Sequence, residues 1–235
     1  MRCLYRGMRE GLLLVGFLVL LSVSALAAEQ TAVVPAASTE TVIICIGDSM
    51  TGAEWKSQED SPVYAYLPAA EKQWPSLVAK ALPAKLVDVG IVGERTDEML
   101  ARFQKDVLAK KPDACIIWGG ANDVLQGKTT ADILRNVQYM VELCQQHNIH
   151  PVLADLPVRV SAEQPQAAAL AALHEAYEKL AREEHVAFVD LCKTKLQGDN
   201  GVAAMYTLPD GIHLNAIGQA AAAQELLNVL RPMLQ

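Results

Sequence analysis

Positive charge is what this 235-residue chain is short of: 20 Lys and Arg stand against 27 Asp and Glu, a net charge of −7. An acidic chain repels a phosphate backbone, which argues against non-specific nucleic-acid binding as its task. Beyond its first 26 residues it has no apolar run of the roughly 20 residues that cross a bilayer. It has no C-x-x-C or other cysteine spacing that suits a metal, so no metal or cofactor is implied. Internal repeats and hairpin signals are absent too, which turns attention away from solenoids and all-β folds.

The start of the chain reads as a targeting segment. Arg2, Arg6 and Arg9 precede an apolar core, Leu12 to Leu21, and a small-residue site, Ala25-Leu26-Ala27. This is the pattern of a secretory signal peptide over 1–27, with cleavage near Ala27 and export to the periplasm or medium. An uncleaved anchor is the alternative; Cys3 lies ahead of the apolar core, where no lipid could attach after cleavage. Residues 28–40, rich in Ala, Thr, Pro and Ser, form a flexible leader, and 41–235 is one domain with a substantial core. Removing three arginines and one glutamate takes the net charge to about −9. Of the remaining cysteines, Cys45 and Cys115 sit inside apolar strand patterns, and all four read as buried thiols, with one bridge left open by the oxidising destination.

The mature part alternates strand and helix patterns five times. Val42–Ile46, Leu86–Val92, Ala114–Trp118, Pro151–Leu156 and Val186–Leu191 are apolar runs that suit buried strands. Between and after them fall helices opened by Gln73-Trp74-Pro75, by Thr96 as N-cap, by the capping-box-like Thr129-Thr130-Ala131-Asp132, over 167–184, and from Ala216 behind Asn215. Every connection is long enough for a crossover, which predicts a three-layer α/β/α fold on a flavodoxin-like, five-stranded parallel sheet. Thr51 to Lys72 is a long polar and aromatic excursion with Trp55, Tyr64 and Tyr66, suited to a lid or substrate-facing loop.

Parallel strands share one C-terminal edge, and ligands bind there. Ser49 ends the first strand in Gly47-Asp48-Ser49, Gly93 ends the second, and Gly120-Ala121-Asn122-Asp123 the third. Asp210-Gly211-Ile212-His213 precedes the last helix. Acyl transfer from an ester needs these residue types. A serine hydroxyl needs an adjacent base; His213 supplies one if a carboxylate such as Asp210 fixes its tautomer. The oxyanion needs aimed donors, each worth on the order of 3–4 kcal/mol. Gly93 can offer an unobstructed N–H, Asn122 an amide, and Ser49 its own N–H.

These four blocks, in this order and at these places, resemble the SGNH (GDSL-type) esterase/lipase hydrolases across nearly the whole mature chain. Within that family the chain looks most like the compact secreted lysophospholipase/thioesterase-type esterases. The resemblance implies Ser49 as nucleophile, His213 as base, Asp210 as its orienting acid, and Ser49, Gly93 and Asn122 as oxyanion donors, with no cofactor. Met50 stands where the family usually has Leu, Leu214 where it often has Pro, and the segment Ala53 to Lys72 is long for the family. There is no G-x-S-x-G, so the nucleophile elbow of the α/β-hydrolase fold is not indicated.

The implied partner is a small-molecule ester: small acyl, aryl, lysophospholipid-type or thioester. A carbohydrate O-acetylesterase or O-acyltransferase would use the same residues, and a non-catalytic binding protein would use only the edge. Asp48 reads as a turn-shaping residue, Asp123 as a loop or cap residue, and Glu94-Arg95 as a solvated face. Trp118 reads as core, and His147, His150, His174 and His185 as structural or solvated.

Overall fold

A computed structural model describes residues 40–51, 67–158, 164–192, 196–198 and 201–234. The signal-peptide segment, most of the leader, and Trp55, Tyr64 and Tyr66 lie outside the described residues.

Five parallel strands form the central sheet: β1 (Thr41–Gly47), β2 (Ala84–Asp88), β3 (Ala114–Trp118), β4 (His150–Ala154) and β5 (Ala187–Val189). Their order is β2-β1-β3-β4-β5, the expected flavodoxin-like arrangement. Register runs Ile44 against Val87 on one side of β1 and Ile44 against Cys115 on the other. Helices cover both faces. On one, α1 (Trp74–Ala81) packs on α6 (Ala216–Met233); on the other, α4 (Thr130–Gln146) packs between α2 (Thr96–Asp106) and α5 (Pro165–Glu183). Because neither sheet face meets water, the central strands are apolar throughout rather than alternating: Ile43 to Ile46 and Cys115 to Trp118 are fully buried. Each such side chain contributes about 1.5–3 kcal/mol by leaving water.

Several boundaries differ from the sequence reading. The second strand is shorter than Leu86–Val92, although Val89 and Ile91 still donate to the Cys45 and Gly47 carbonyls beyond its end, both at 2.9 Å. A short helix, α3 (Ala121–Leu125), follows β3 where a loop was expected; five residues are too few to show a helical period. The N-cap of α2 is Arg95 rather than Thr96, which is its first helical residue. The loop before α6 holds a two-stranded antiparallel pair, β6 (Gln197–Gly198) and β7 (Gly201–Val202), although no hairpin signal was read there. Two-residue strands carry too little alternation to be seen. Asn215 and Thr129 do cap α6 and α4: Asn215 Oδ1 accepts from the Ile217 and Gly218 N–H groups, and Thr129 Oγ1 accepts from that of Asp132.

Cys45, Cys115 and Cys144 are buried free thiols, and Cys192 is half-buried with its Sγ 3.2 Å from the Leu156 carbonyl oxygen. Burial pushes the Cys45 and Cys115 thiols well above their usual range, which leaves them unreactive.

Candidate active site

The order of strands reverses at β1/β3, and the C-terminal crevice of such a switch point is where an open α/β sheet binds ligands. Ser49 follows β1 there, and Asn122 lies in α3 just after β3.

The turn that carries Ser49 is tightly built. The Thr51 N–H donates to the Asp48 carbonyl at 3.1 Å, and the Met50 N–H donates to Asp48 Oδ1 at 2.9 Å. From behind, Trp74 Nε1 donates to the Met50 carbonyl at 2.7 Å, while the Trp74 N–H donates to Gln219 Oε1 at 2.8 Å. Trp74 thus joins the serine's turn through its indole and α6 through its backbone N–H. Gly47 is required by close approach, because a Cβ there would overlap Thr51 Oγ1 and the Trp118 carbonyl oxygen.

His213 reaches Ser49 from the other end of the chain, 164 positions away, with Nε2 2.9 Å from Ser49 Oγ. Its Nδ1 is 2.7 Å from Asp210 Oδ2. Asp210 Oδ1 meanwhile accepts the Ile212 and His213 N–H groups at 2.9 and 3.1 Å, so the same carboxylate shapes the turn and faces the ring. Desolvation raises the Asp210 pKa, but the hydrogen bonds from the His213 ring and the two backbone N–H groups outweigh it and hold the group below the usual carboxylate range. An ionised Asp210 can only accept. The proton therefore belongs on Nδ1, and Nε2 is left to take the Ser49 hydroxyl proton.

Gly93 has φ +76, and no atom of the described residues lies within 4 Å of where a Cβ would project. Its neighbour Glu94 supplies a carbonyl that accepts from Asn122 Nδ2 at 3.0 Å. Asn122 Nδ2 also donates to Asp48 Oδ2 at 3.3 Å. The structure thus brings Ser49, His213 and Asp210 into one hydrogen-bonded line and places Asn122 on the Gly93–Glu94 loop.

Neighbouring residues do more than the sequence suggested. Asp48 does shape the turn, but it is also fully buried beside Asn122. Desolvation pushes its pKa up from 3.8 to about 7; the Met50 N–H opposes this, and the Asp123 and Glu94 charges add to it. Asp123, read as a loop or cap residue, is buried in α3 and caps the start of α2. Its oxygens accept from the Thr96 N–H at 2.9 Å and from Thr96 Oγ1 at 2.7 Å. Glu94 and Arg95 are not a solvated face. Glu94 pairs with Arg102 at 2.7 Å, and Arg95 bonds Asp97 and Gln126. Trp118 is core, as expected. His174 is half-buried on Asp155, with Nδ1 2.9 Å from Oδ2. Among the described residues, Asp155, His174 and Cys192 bring three potential metal-ligand atoms within 4.8 Å of one another. The Asp155 carboxylate also accepts from the Leu156 and Cys192 N–H groups, which makes it an anchor for the loops after β4 and β5.

A serine, a histidine and a carboxylate in line at a sheet's C-terminal edge are the arrangement of a hydrolase that works through an activated hydroxyl. Residues 45–221 match the GDSL-like lipase/acylhydrolase family, and the chain belongs to that family. An arylesterase from Vibrio mimicus is 32% identical over 104 residues, 42% of this chain and 52% of the relative. An uncharacterised lipoprotein, YqeF, from Bacillus subtilis (strain 168) is 32% identical over 120 residues, 47% of this chain and 46% of the relative. The chain therefore spans about half the length of the curated relatives it matches. A structure assigned to the G-D-S-L lipolytic family, from Desulfitobacterium hafniense DCB-2, superposes with a TM-score of 0.66 at 23% identity, covering 81% of this chain and 99% of that one.

Proposed function

We propose that Ser49 is the nucleophile of an exported serine esterase acting on small acyl, aryl or lysophospholipid-type esters. The observation that carries this reading is the pair of short contacts on one imidazole, 2.9 Å to Ser49 Oγ and 2.7 Å to Asp210 Oδ2. His213 Nε2 takes the hydroxyl proton as Oγ attacks the ester carbonyl carbon. Asp210 holds the imidazolium in place. The negative charge that forms on the carbonyl oxygen is met by the N–H groups of Ser49 and Gly93 and by Asn122 Nδ2. His213 then gives the proton to the departing alkoxide, leaving an acyl-enzyme. Water, deprotonated by the same nitrogen, hydrolyses that acyl-enzyme to the acid and free serine.

Covalent labelling by a fluorophosphonate is the direct test, because it requires an activated serine. Labelling of the wild type that disappears in Ser49→Ala is expected; an unreactive wild type would remove the enzyme mechanism and leave a binding protein. A hydrolysis panel then assigns the substrate. p-Nitrophenyl esters of graded length and a thioester are set against acetate release from acetylated sugars and acyl transfer to an added alcohol. Export follows from the segment 1–27, and an exported chain whose first residue is Ala28 is the expected product.

A further inference from the structure

The Asn122 side chain carries two N–H bonds on one nitrogen, and two oxygens lie within reach of it: the Glu94 carbonyl at 3.0 Å and Asp48 Oδ2 at 3.3 Å. A carboxamide has a second, equally well-shaped orientation in which Oδ1 and Nδ2 exchange places. Here that flip would set Oδ1 against a carbonyl oxygen and a carboxyl oxygen at once. Asp48 is fully buried and belongs to the nucleophile's own turn, since its other oxygen accepts the Met50 N–H at 2.9 Å. One carboxyl therefore touches both the residue after Ser49 and the amide assigned to the oxyanion.

We infer that Asp48 is a positioning residue for acyl transfer: its carboxyl sets the rotation of the Asn122 carboxamide, so that the N–H, and not the amide oxygen, faces the developing oxyanion in register with Ser49. The inference rests on Asn122 being an oxyanion donor. The bond to Asp48 is the longer of the two, so it is the one that the amide shares with the substrate oxygen as charge accumulates there. A flipped amide would place a lone pair where the negative charge forms, and repulsion would replace stabilisation. This carboxyl acts together with the Glu94 carbonyl, and the other polar groups nearby are engaged elsewhere. Glu94 is paired with Arg102, Asp123 is held by Thr96, the Tyr177 hydroxyl is spent on the Gly119 carbonyl at 2.9 Å, and His213 is turned to Asp210.

A double-mutant cycle tests this. Asp48→Asn keeps an oxygen for the Met50 N–H but turns an NH2 group toward Asn122; Asp48→Ser can still cap the turn but is too short to reach Asn122. Each is expected to lower kcat by roughly 10- to 100-fold with KM unchanged, below the roughly 10²–10³ of losing a whole oxyanion donor. In an Asn122→Ala background neither should cost anything further. Equal losses in both backgrounds would overturn the inference, since Asp48 would then act through the serine's turn alone. An Asn122→Ala enzyme of wild-type kcat would instead overturn the oxyanion reading beneath it. Wild-type protein gives a readout free of folding failures: the Asn122 side-chain amide resonances, assigned by their loss in Asn122→Ala, should shift with pH around a midpoint near 7. Resonances that stay fixed from pH 5 to 9 would overturn the contact itself.

Discussion

Asn122 is half-buried, and its side-chain amide bonds the Glu94 carbonyl and Asp48, while its neighbour Asp123 holds the short helix through Thr96. Truncation should thus separate chemistry from folding. Asn122→Ala is expected to lower kcat by roughly 10²–10³, with KM and the unfolding midpoint close to wild type, as steady-state kinetics and thermal melts would read. Wild-type turnover would mean that the Ser49 and Gly93 N–H groups carry the oxyanion alone. At this scale the candidate side chains that the structure brings together were legible because each stands at a break in local pattern: Ser49 where an apolar run stops, Asn122 after two glycines, Asp210 and His213 on a glycine turn ahead of an N-cap. What was not legible is who touches whom. Asp48 meets Asn122 across 74 positions, and no periodicity reports a contact of that kind. The burial of a polar residue next to Ser49 is likewise invisible in composition, which is why Asp48 read as a turn-builder only.

Among the elements, the short helix α3 and the start of α2 form the unit that delivers both Gly93 and Asn122. Thr96 is its joint. Its N–H and Oγ1 both go to Asp123, and Oγ1 also accepts from Asn136 Nδ2 of α4 at 3.0 Å. Three helices therefore meet on one buried hydroxyl. Thr96→Val conserves the shape but leaves one Asp123 oxygen and the Asn136 amide short of a partner, which should cost about 1–3 kcal/mol of stability. Urea denaturation would show it as a lower midpoint at unchanged slope. A smaller fall in kcat should accompany it, because the Gly93–Glu94 loop that Asn122 bonds is less firmly held. A midpoint equal to wild type would show that solvent or another group satisfies Asp123. The long elements here were read correctly from spacing, since 11 to 19 residues give several turns of an apolar stripe. Thr96 was placed one position off as the cap because its hydroxyl serves a residue 27 positions away rather than its own helix.

For the molecule as a whole, the carboxyls around the serine pull stability in opposite directions with pH. Asp210 lies below its ordinary pKa, so its contribution is present at neutral pH and is lost only in acid, below the usual carboxylate range. Asp48 is the reverse case. Desolvation lifts it from 3.8 to about 7, so between those values the native chain holds a proton that the unfolded chain has released. Stability from this group is then full below about pH 4 and declines as pH rises toward 7. Asp123, raised by desolvation against the pull of Thr96, has the same sign. A fold that keeps a buried carboxyl on these terms gives up stability near neutral pH, which fits a group retained for the site rather than for the core. Asp48→Asn removes that titration. The denaturation midpoint of wild type should therefore fall relative to the variant between pH 4 and pH 7.5, and level off above that. If the two midpoints ran parallel across this range, Asp48 would carry the same charge in the native and unfolded chains.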